Sequence, residues 1–228
     1  MAIPVQRFVD ELTTRHRVIV VGGLAVIGHG LSRPTKDVDL WLEPMPSIRD
    51  WAEAIEEVCR SVPGTTIHRL PGWVKVSGRD VVDAVEETGM VRIHGLRTPL
   101  DIFRAPNEFD AEFFDAVATR AKRNDDGTLL PEPLDLIQTK FNTGRDQDAR
   151  DIGHLEGLVQ SEYKERLPTA TPEEAREMLG RYCEWQVLKA ALTNPSAEVR
   201  DLATGYLHEF AEAGDPFSQA ILAGREIP

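Results

Sequence analysis

The 228-residue sequence lacks a long hydrophobic run and has little cysteine. No apolar segment approaches the roughly 18 residues that a membrane-spanning helix needs, so we expect no membrane span. The two cysteines, Cys59 and Cys183, match no metal-binding or redox spacing. We therefore interpret both as reduced thiols of a cytoplasmic protein.

Positive charge is scarce in the second half of the chain. Residues 1–124 contain 18 acidic residues and 16 Lys or Arg, whereas residues 125–228 contain 20 and 10, so most of the net charge of −12 lies in the second half. Proteins that bind nucleic acid broadly rely on clustered Lys and Arg to contact phosphates. The acidic half argues against such binding, and a small anion bound together with a metal ion is the partner that the charge favours.

The pattern of apolar residues predicts an α+β fold. Residues 1–124 alternate strand-like and helix-like segments, and we expect a mixed sheet of about five strands with flanking helices. Strands are predicted at 17–21, 37–42, 65–70, 73–76, 90–94 and 97–104. Residues 125–228 are expected to form a helical C-terminal domain. In the first half, helices are predicted at 24–31 and from the N-cap Ser47 to about Val62, with Trp51, Ile55 and Val58 on the apolar stripe of the second, and a helix or connection at 79–87. Helical patterns from residue 109 onward cover 109–123, 133–142, 146–161, 172–192, 197–213 and 217–224.

Two acidic residues, Asp37 and Asp39, lie on the same face of the second predicted strand. Residues two apart on a strand point the same way, which places these side chains about 6–7 Å apart at the backbone. Carboxylates this close raise each other's pKa unless a cation lies between them. Because Mg²⁺ is usually held by one or two carboxylates and substrate phosphates, the pair predicts a metal site. The alternative is the solvated face of an edge strand.

A glycine pair and a third acid add to this pattern. Gly22 and Gly23 follow a buried strand, where glycine lets the backbone approach a phosphate and the next helix offers free N–H groups. Asp101 lies between Leu100 and Ile102 on a later predicted strand. If the two acidic strands are neighbours, three carboxylates converge, as in sites that hold two Mg²⁺ ions for nucleotidyl transfer. Asp101 could also accept the proton of an attacking hydroxyl, or be a surface acid on an edge strand.

The segment VGGLAVIGHGLSRPTKDVDLWL, residues 21–42, resembles the first motif of the nucleotidyltransferase superfamily, which has the polymerase-beta-like fold. It is most similar to the version found in bacterial AbiEii-like nucleotidyltransferases, which include type IV toxins. The resemblance implies that Asp37, Asp39 and Asp101 are the catalytic and metal-binding acids. It also implies that Gly22 and Gly23 bind the nucleotide.

The segment LDLIQTKFNTGRDQDARDIGHL, residues 134–155, resembles the helical segment that follows the catalytic domain in AbiEii-like proteins. The resemblance implies that Lys140 lies near the nucleotide phosphates and that Arg145 is the second basic position. Asp148 and Asp151 are one helical turn apart and share a face, so we interpret them as structural partners of nearby basic residues. The resemblance covers roughly residues 15–160 and leaves the rest of the chain unmatched.

These features lead to the hypothesis of a Mg²⁺-dependent nucleotidyltransferase that transfers NMP from an NTP to a hydroxyl. The resemblance to AbiEii-like proteins implies that it could be a toxin or defence component. Arg33 and Lys36 flank the acid pair and are candidate ligands of the triphosphate or partners of the acids. The acceptor is open between RNA such as tRNA, a small molecule and a protein. One alternative is a non-catalytic binding module with a cognate antitoxin or phage-defence partner. A metal-dependent nuclease or phosphatase is another, although it would not need the glycine pair.

Overall fold

The computed structural model describes residues 2–107, 109–141 and 143–225. The chain divides into two compact units, one ending at Leu155 and the other beginning at Glu156. The first unit contains a mixed β-sheet with flanking helices, and only helices are present in the described part of the second. The α+β class predicted from the sequence is therefore confirmed. None of the helices in the described residues is both long enough and apolar enough to cross a membrane.

The sheet has eight strands in the described residues, in the order β4-β3-β5-β6-β2-β1-β8-β7. Pairing is parallel between β2 and β6 and between β1 and β8, and antiparallel elsewhere. The strands are β1 Val18–Val21, β2 Val38–Leu42, β3 Thr66–Arg69, β4 Val74–Val76, β5 Met90–His94, β6 Leu100–Phe103, β7 Lys122–Arg123 and β8 Leu129–Leu130.

Apart from α1, which the sequence analysis did not predict, the helices follow the predicted segments with shifted ends. They are α1 Val5–Thr13, α2 Gly22–Gly28, α3 Ile48–Ser61, α4 Arg79–Thr88, α5 Phe114–Arg120, α6 Pro133–Gln138, α7 Asp146–Arg166, α8 Pro172–Arg181, α9 Trp185–Ala191, α10 Ala197–Glu212 and α11 Pro216–Leu222. The single helix predicted over 172–192 is two helices, α8 and α9. The helix predicted over 133–142 ends at Gln138, and residue 142 lies outside the described residues. The helix predicted over 109–123 covers only α5, preceded by a 3₁₀ turn.

The sheet is larger than the sequence predicted because it includes β7 and β8. Each has only two residues, too few to produce a recognisable alternation. In β8, Leu129 pairs in parallel with Ile19 of the central strand β1. This pairing belongs to the first unit, which runs to Leu155.

Helix α3 shows how local sequence positions a helix against the sheet. Ser47 caps its N-terminus, since the Ser47 side chain accepts a hydrogen bond of 3.1 Å from the backbone N–H of Asp50. Trp51, Ile55 and Val58 lie on one stripe and are fully buried, as their spacing predicts. Burial of each such side chain stabilises the fold by about 1.5–3 kcal/mol.

The two faces of the sheet have different partners. Val18 and Val20 of β1 belong to the main core, whereas Ile19 belongs to a smaller cluster with Trp41 and Phe114 on the opposite face. Strand β2 follows the same rule, since its alternate residues Val38, Leu40 and Leu42 lie in the main core. The acids of β2 and β6 therefore project from the face opposite the main core.

The strand register brings three charged residues to one level of the sheet. Asp39 of β2 pairs with Asp101 of β6, and Asp101 pairs with Arg92 of β5. Directly paired residues on neighbouring strands project from the same face with short separations. The side chains of Asp39, Asp101 and Arg92 therefore lie side by side, next to Val21 of β1, which pairs with Asp39.

Candidate functional site

The three acids predicted from the sequence converge at this level of the sheet. One carboxylate oxygen from each of Asp37, Asp39 and Asp101 lies within 4.8 Å of the other two. Asp37 directly precedes β2 and is half-buried, whereas Asp101 is only 6% exposed. Their convergence is thus a finding, and their catalytic and metal-binding roles remain predictions.

Asp39 is the carboxyl most strongly affected by this arrangement. Burial raises its pKa, repulsion from Asp37 and Asp101 adds to the effect, and the nearby charges of Lys140 and Arg92 oppose it, giving a pKa of about 7. Burial and like charges both favour the neutral form of a carboxyl. A cation placed among the three acids would relieve this repulsion, and such perturbed groups are typical of functional sites.

The glycine pair makes room for charged side chains of the site. Gly22 has φ +61°, and a Cβ atom there would lie 1.9 Å from Oδ2 of Asp39. A Cβ atom on Gly23 would lie 2.7 Å from Oγ1 of Thr35 and 2.9 Å from Nη2 of Arg33. Both glycines are therefore explained by packing around the acids and Arg33, in addition to any close approach of a phosphate.

Substitution of Gly22 by Ala is expected to destabilise the protein more than a conformationally matched substitution. Gly89→Ala is the control, because Gly89 also has positive φ, at +69°, and its added Cβ would make only an ordinary contact of 3.7 Å. The free energy of unfolding of the control should fall by about 1 kcal/mol, which lowers its Tm by about 2–4 °C. Gly22→Ala should lose at least twice as much, because its Cβ must also displace the Asp39 carboxylate. Equal melting temperatures in a circular dichroism scan would contradict this explanation.

Two of the predicted nucleotide-binding cations are engaged by acids of α7. Nζ of Lys140 lies 3.0 Å from Oδ1 of Asp148 and 2.7 Å from Oδ2 of Asp151. Nη2 of Arg33 donates to the same Oδ2 of Asp151 at 2.8 Å. Lys140 is 5% exposed and Asp151 is fully buried. The interpretation of Asp148 and Asp151 as structural partners of a basic residue is confirmed, while phosphate binding by Lys140 and Arg33 stays a prediction.

A cleft of about 270 Å³ is lined by Asp39 and by three of the predicted nucleotide-binding residues, Gly22, Lys140 and Arg145. Asn107 supports one wall, since its amide donates to the carbonyl oxygens of Thr139 at 3.2 Å and Phe141 at 2.7 Å. Arg145 lines the cleft and is exposed, and Lys36 is also exposed. Further lining residues include Val21, Phe103, Thr143 and Asp148.

Sequence reasoning missed Arg92, which contacts two of the three acids. Its Nε and Nη2 donate to Oδ1 and Oδ2 of Asp101, each at 2.5 Å, and Nη2 lies 3.6 Å from Oδ2 of Asp37. The guanidinium carbon lies 3.9 Å from the ring centroid of Trp73. The available signal was the position of Arg92 between the core residues Val91 and Ile93, which places it on the polar face of its strand.

Comparisons with known proteins give limited similarity. No known protein-family model matches the chain, and no curated protein does. A solved structure of JHP933 from Helicobacter pylori is 15% identical, with 92% of each chain covered and a TM-score of 0.37. A candidate nucleotidyltransferase from H. pylori is 14% identical, with 90% of this chain and 94% of that chain covered and a TM-score of 0.37. These similarities are too weak to support an argument about activity.

Proposed function

We propose that this chain is a Mg²⁺-dependent nucleotidyltransferase that binds an NTP in the cleft and transfers its NMP to a hydroxyl. The observation that carries the proposal is the convergence of Asp37, Asp39 and Asp101 within 4.8 Å, with Asp39 lining that cleft. Rigid strands hold Asp39 and Asp101, and the exposed Arg145 lines the cleft, where a triphosphate would need positive charge.

The donor set fits magnesium. All three candidate ligands are carboxylates, which are the hard oxygen donors that Mg²⁺ prefers over nitrogen or sulfur ligands. The raised pKa of Asp39 reports repulsion that a divalent cation would relieve. When bound, Mg²⁺ would neutralise phosphate charge and stabilise the attacking and leaving oxygens. Asp37 and Asp39 are the residues that would hold it.

The remaining residues bind and orient the reactants. In the transfer, the acceptor oxygen forms a bond to the α-phosphorus and gives its proton to water, the bond to the bridging oxygen breaks, and pyrophosphate leaves. Both oxygens of Asp101 already accept hydrogen bonds from Arg92, which favours an orienting role for Asp101 over that of a base for the hydroxyl proton. Gly22 lines the cleft next to Asp39, and Gly23 follows it beside Arg33, while Arg145 and Lys36 are the exposed cations assigned to the triphosphate.

The test is calorimetric titration of each of the four NTPs into the protein, with and without Mg²⁺. We expect binding only in the presence of Mg²⁺. A label on the α-phosphate should then appear in RNA, in protein or in a small-molecule pool, with release of pyrophosphate. If RNA is the acceptor, we propose that the protein acts as a toxin or defence component with a cognate antitoxin.

The two alternatives predict different results in the same experiment. A nuclease or phosphatase would turn over its substrate without any acceptor. A non-catalytic module would show no metal-dependent NTP binding at all, which would overturn the proposed function for the isolated chain.

Mg²⁺ affinity is expected to increase with pH through neutrality. Asp39 has a pKa of about 7 and must lose its proton before it can bind a cation. The apparent Kd for Mg²⁺ should therefore fall about tenfold between pH 6 and pH 8 and level off above that range. Titrations of Mg²⁺ at fixed pH values measure this directly. An affinity that is constant from pH 6 to pH 8 would contradict the assignment of Asp39 as a ligand.

A further inference from the structure

We infer that Arg92 occupies the place of a second cation at Asp101, so that the nucleotide-free carboxylate cluster binds one divalent ion rather than two. The inference rests on the proposed function and changes the two-ion arrangement predicted from the sequence. The single ion would be held by Asp37, which directly precedes β2, and by Asp39 within that strand.

The contacts of Asp101 carry the inference. Both of its oxygens accept hydrogen bonds from Arg92, at 2.5 Å each, in the two-pronged geometry that guanidinium and carboxylate groups form best. Each Asp101 oxygen keeps one further lone pair, but an ion bound there would lie next to the Arg92 guanidinium, whose positive charge repels it. Mg²⁺ also requires near-ideal octahedral geometry, which the neighbouring guanidinium obstructs on that side of Asp101.

Arg92 is fixed by more than its pairing with Asp101. Strand pairing places Arg92 directly opposite Asp101, so the contact needs no unusual side-chain conformation. Its guanidinium lies over the ring of Trp73 at 3.9 Å, and its side chain is only 18% exposed. Trp73 has φ +53°, a conformation that bulky residues rarely adopt and that the surrounding structure must hold. The stacked ring and the acid thus hold the guanidinium from two sides.

The charges of the cluster match this count. Three carboxylates carry three negative charges when Asp39 is ionised, and Arg92 carries one positive charge. One divalent ion then makes the group neutral, whereas a second would leave two positive charges without a nucleotide to balance them. The positive charge of Lys140 does not enter this sum, because Asp148 and Asp151 already pair with it.

The experiment is a Mn²⁺ titration of the nucleotide-free protein, followed by electron paramagnetic resonance of free and bound Mn²⁺. Wild type should bind one ion at the cluster. Arg92→Gln, which removes the charge, should bind a second ion at least about tenfold more tightly than wild type does. Two ions about 3.5–4 Å apart would also give a spin-coupled spectrum, which wild type should lack.

Two further variants separate charge from general disruption. Arg92→Lys keeps the positive charge and should retain one site with no spin-coupled spectrum. Arg69→Gln is the matched control, because Arg69 lies on the adjacent strand β3 and pairs with Glu87 instead of the acids. It should bind Mn²⁺ like wild type.

Two bound ions in wild type would overturn the inference and leave the proposed function standing. An Arg92→Gln variant that is folded by circular dichroism and still binds only one ion would also overturn it. If that variant does not fold, the wild-type stoichiometry and the Arg92→Lys spectrum decide the question. Wild type that binds no Mn²⁺ would overturn both the inference and the metal dependence of the proposed function.

Discussion

Replacing Asp39 by Asn is expected to abolish Mg²⁺-dependent nucleotide binding while making the protein more stable. Loss of a carboxylate ligand should weaken metal affinity by at least about 100-fold, since even residues that only support a ligand change it by about 10–100-fold. The gain in stability has a different cause. Asn removes a carboxylate that burial, Asp37 and Asp101 all disfavour in its charged form.

The sign of the stability effect depends on pH. The folded protein holds the Asp39 proton up to a pKa of about 7, whereas the unfolded chain releases it near the ordinary aspartate pKa of 3.8. Asp39 therefore disfavours folding increasingly as pH rises from about 4 to 7, and Asn does not. The Tm of Asp39→Asn should exceed that of wild type by a few degrees at pH 8, and the difference should shrink toward pH 4. Thermal scans at both pH values measure it.

Asp201→Asn is the control for Asp39→Asn, because Asp201 is an exposed acid in the second unit. It should change neither metal-dependent binding nor the pH dependence of Tm. A result in which Asp39→Asn is less stable than wild type at pH 8 would mean that a compensating contact, and not repulsion, dominates at this carboxyl.

Replacing Lys140 by Met is expected to destabilise the first unit strongly. Nζ of Lys140 lies within 3.0 Å of oxygens of Asp148 and Asp151, and the fully buried Asp151 would lose this partner and keep its ion pair with Arg33. Removing one member of a buried ion pair costs about 3–5 kcal/mol, because the other charge remains buried. Urea unfolding followed by tryptophan fluorescence measures the loss, since Trp51 is buried in this unit.

Arg145→Met is the matched control for Lys140→Met. Arg145 lines the same cleft but is exposed, so its removal should change the free energy of unfolding by less than about 0.5 kcal/mol. It should nevertheless weaken NTP binding if Arg145 contacts the triphosphate. If Lys140→Met retained wild-type stability and lost only nucleotide affinity, Lys140 would be a phosphate ligand and not a structural cation.

Local patterns in the sequence predict most of the first unit. Alternating apolar residues correctly identified β2, β5 and β6, and the spacing of Trp51, Ile55 and Val58 correctly predicted the buried face of α3. The apolar pattern does not identify β7 and β8, because a strand of two residues is too short to show an alternation of apolar and polar residues. The placement of Asp39 opposite the main core follows from the same alternation, which depends only on the residues next to it in the chain.

The sequence by itself therefore determined which side chains share a strand face, including the placement of Asp39 opposite Val38 and Leu40. Only the tertiary structure decided what those side chains meet. The order of strands placed Arg92 on Asp101, and the packing of α7 placed Asp148 and Asp151 on Lys140. The physical reason is that periodicity depends on neighbouring residues, whereas strand order and ion pairing depend on the packing of whole elements.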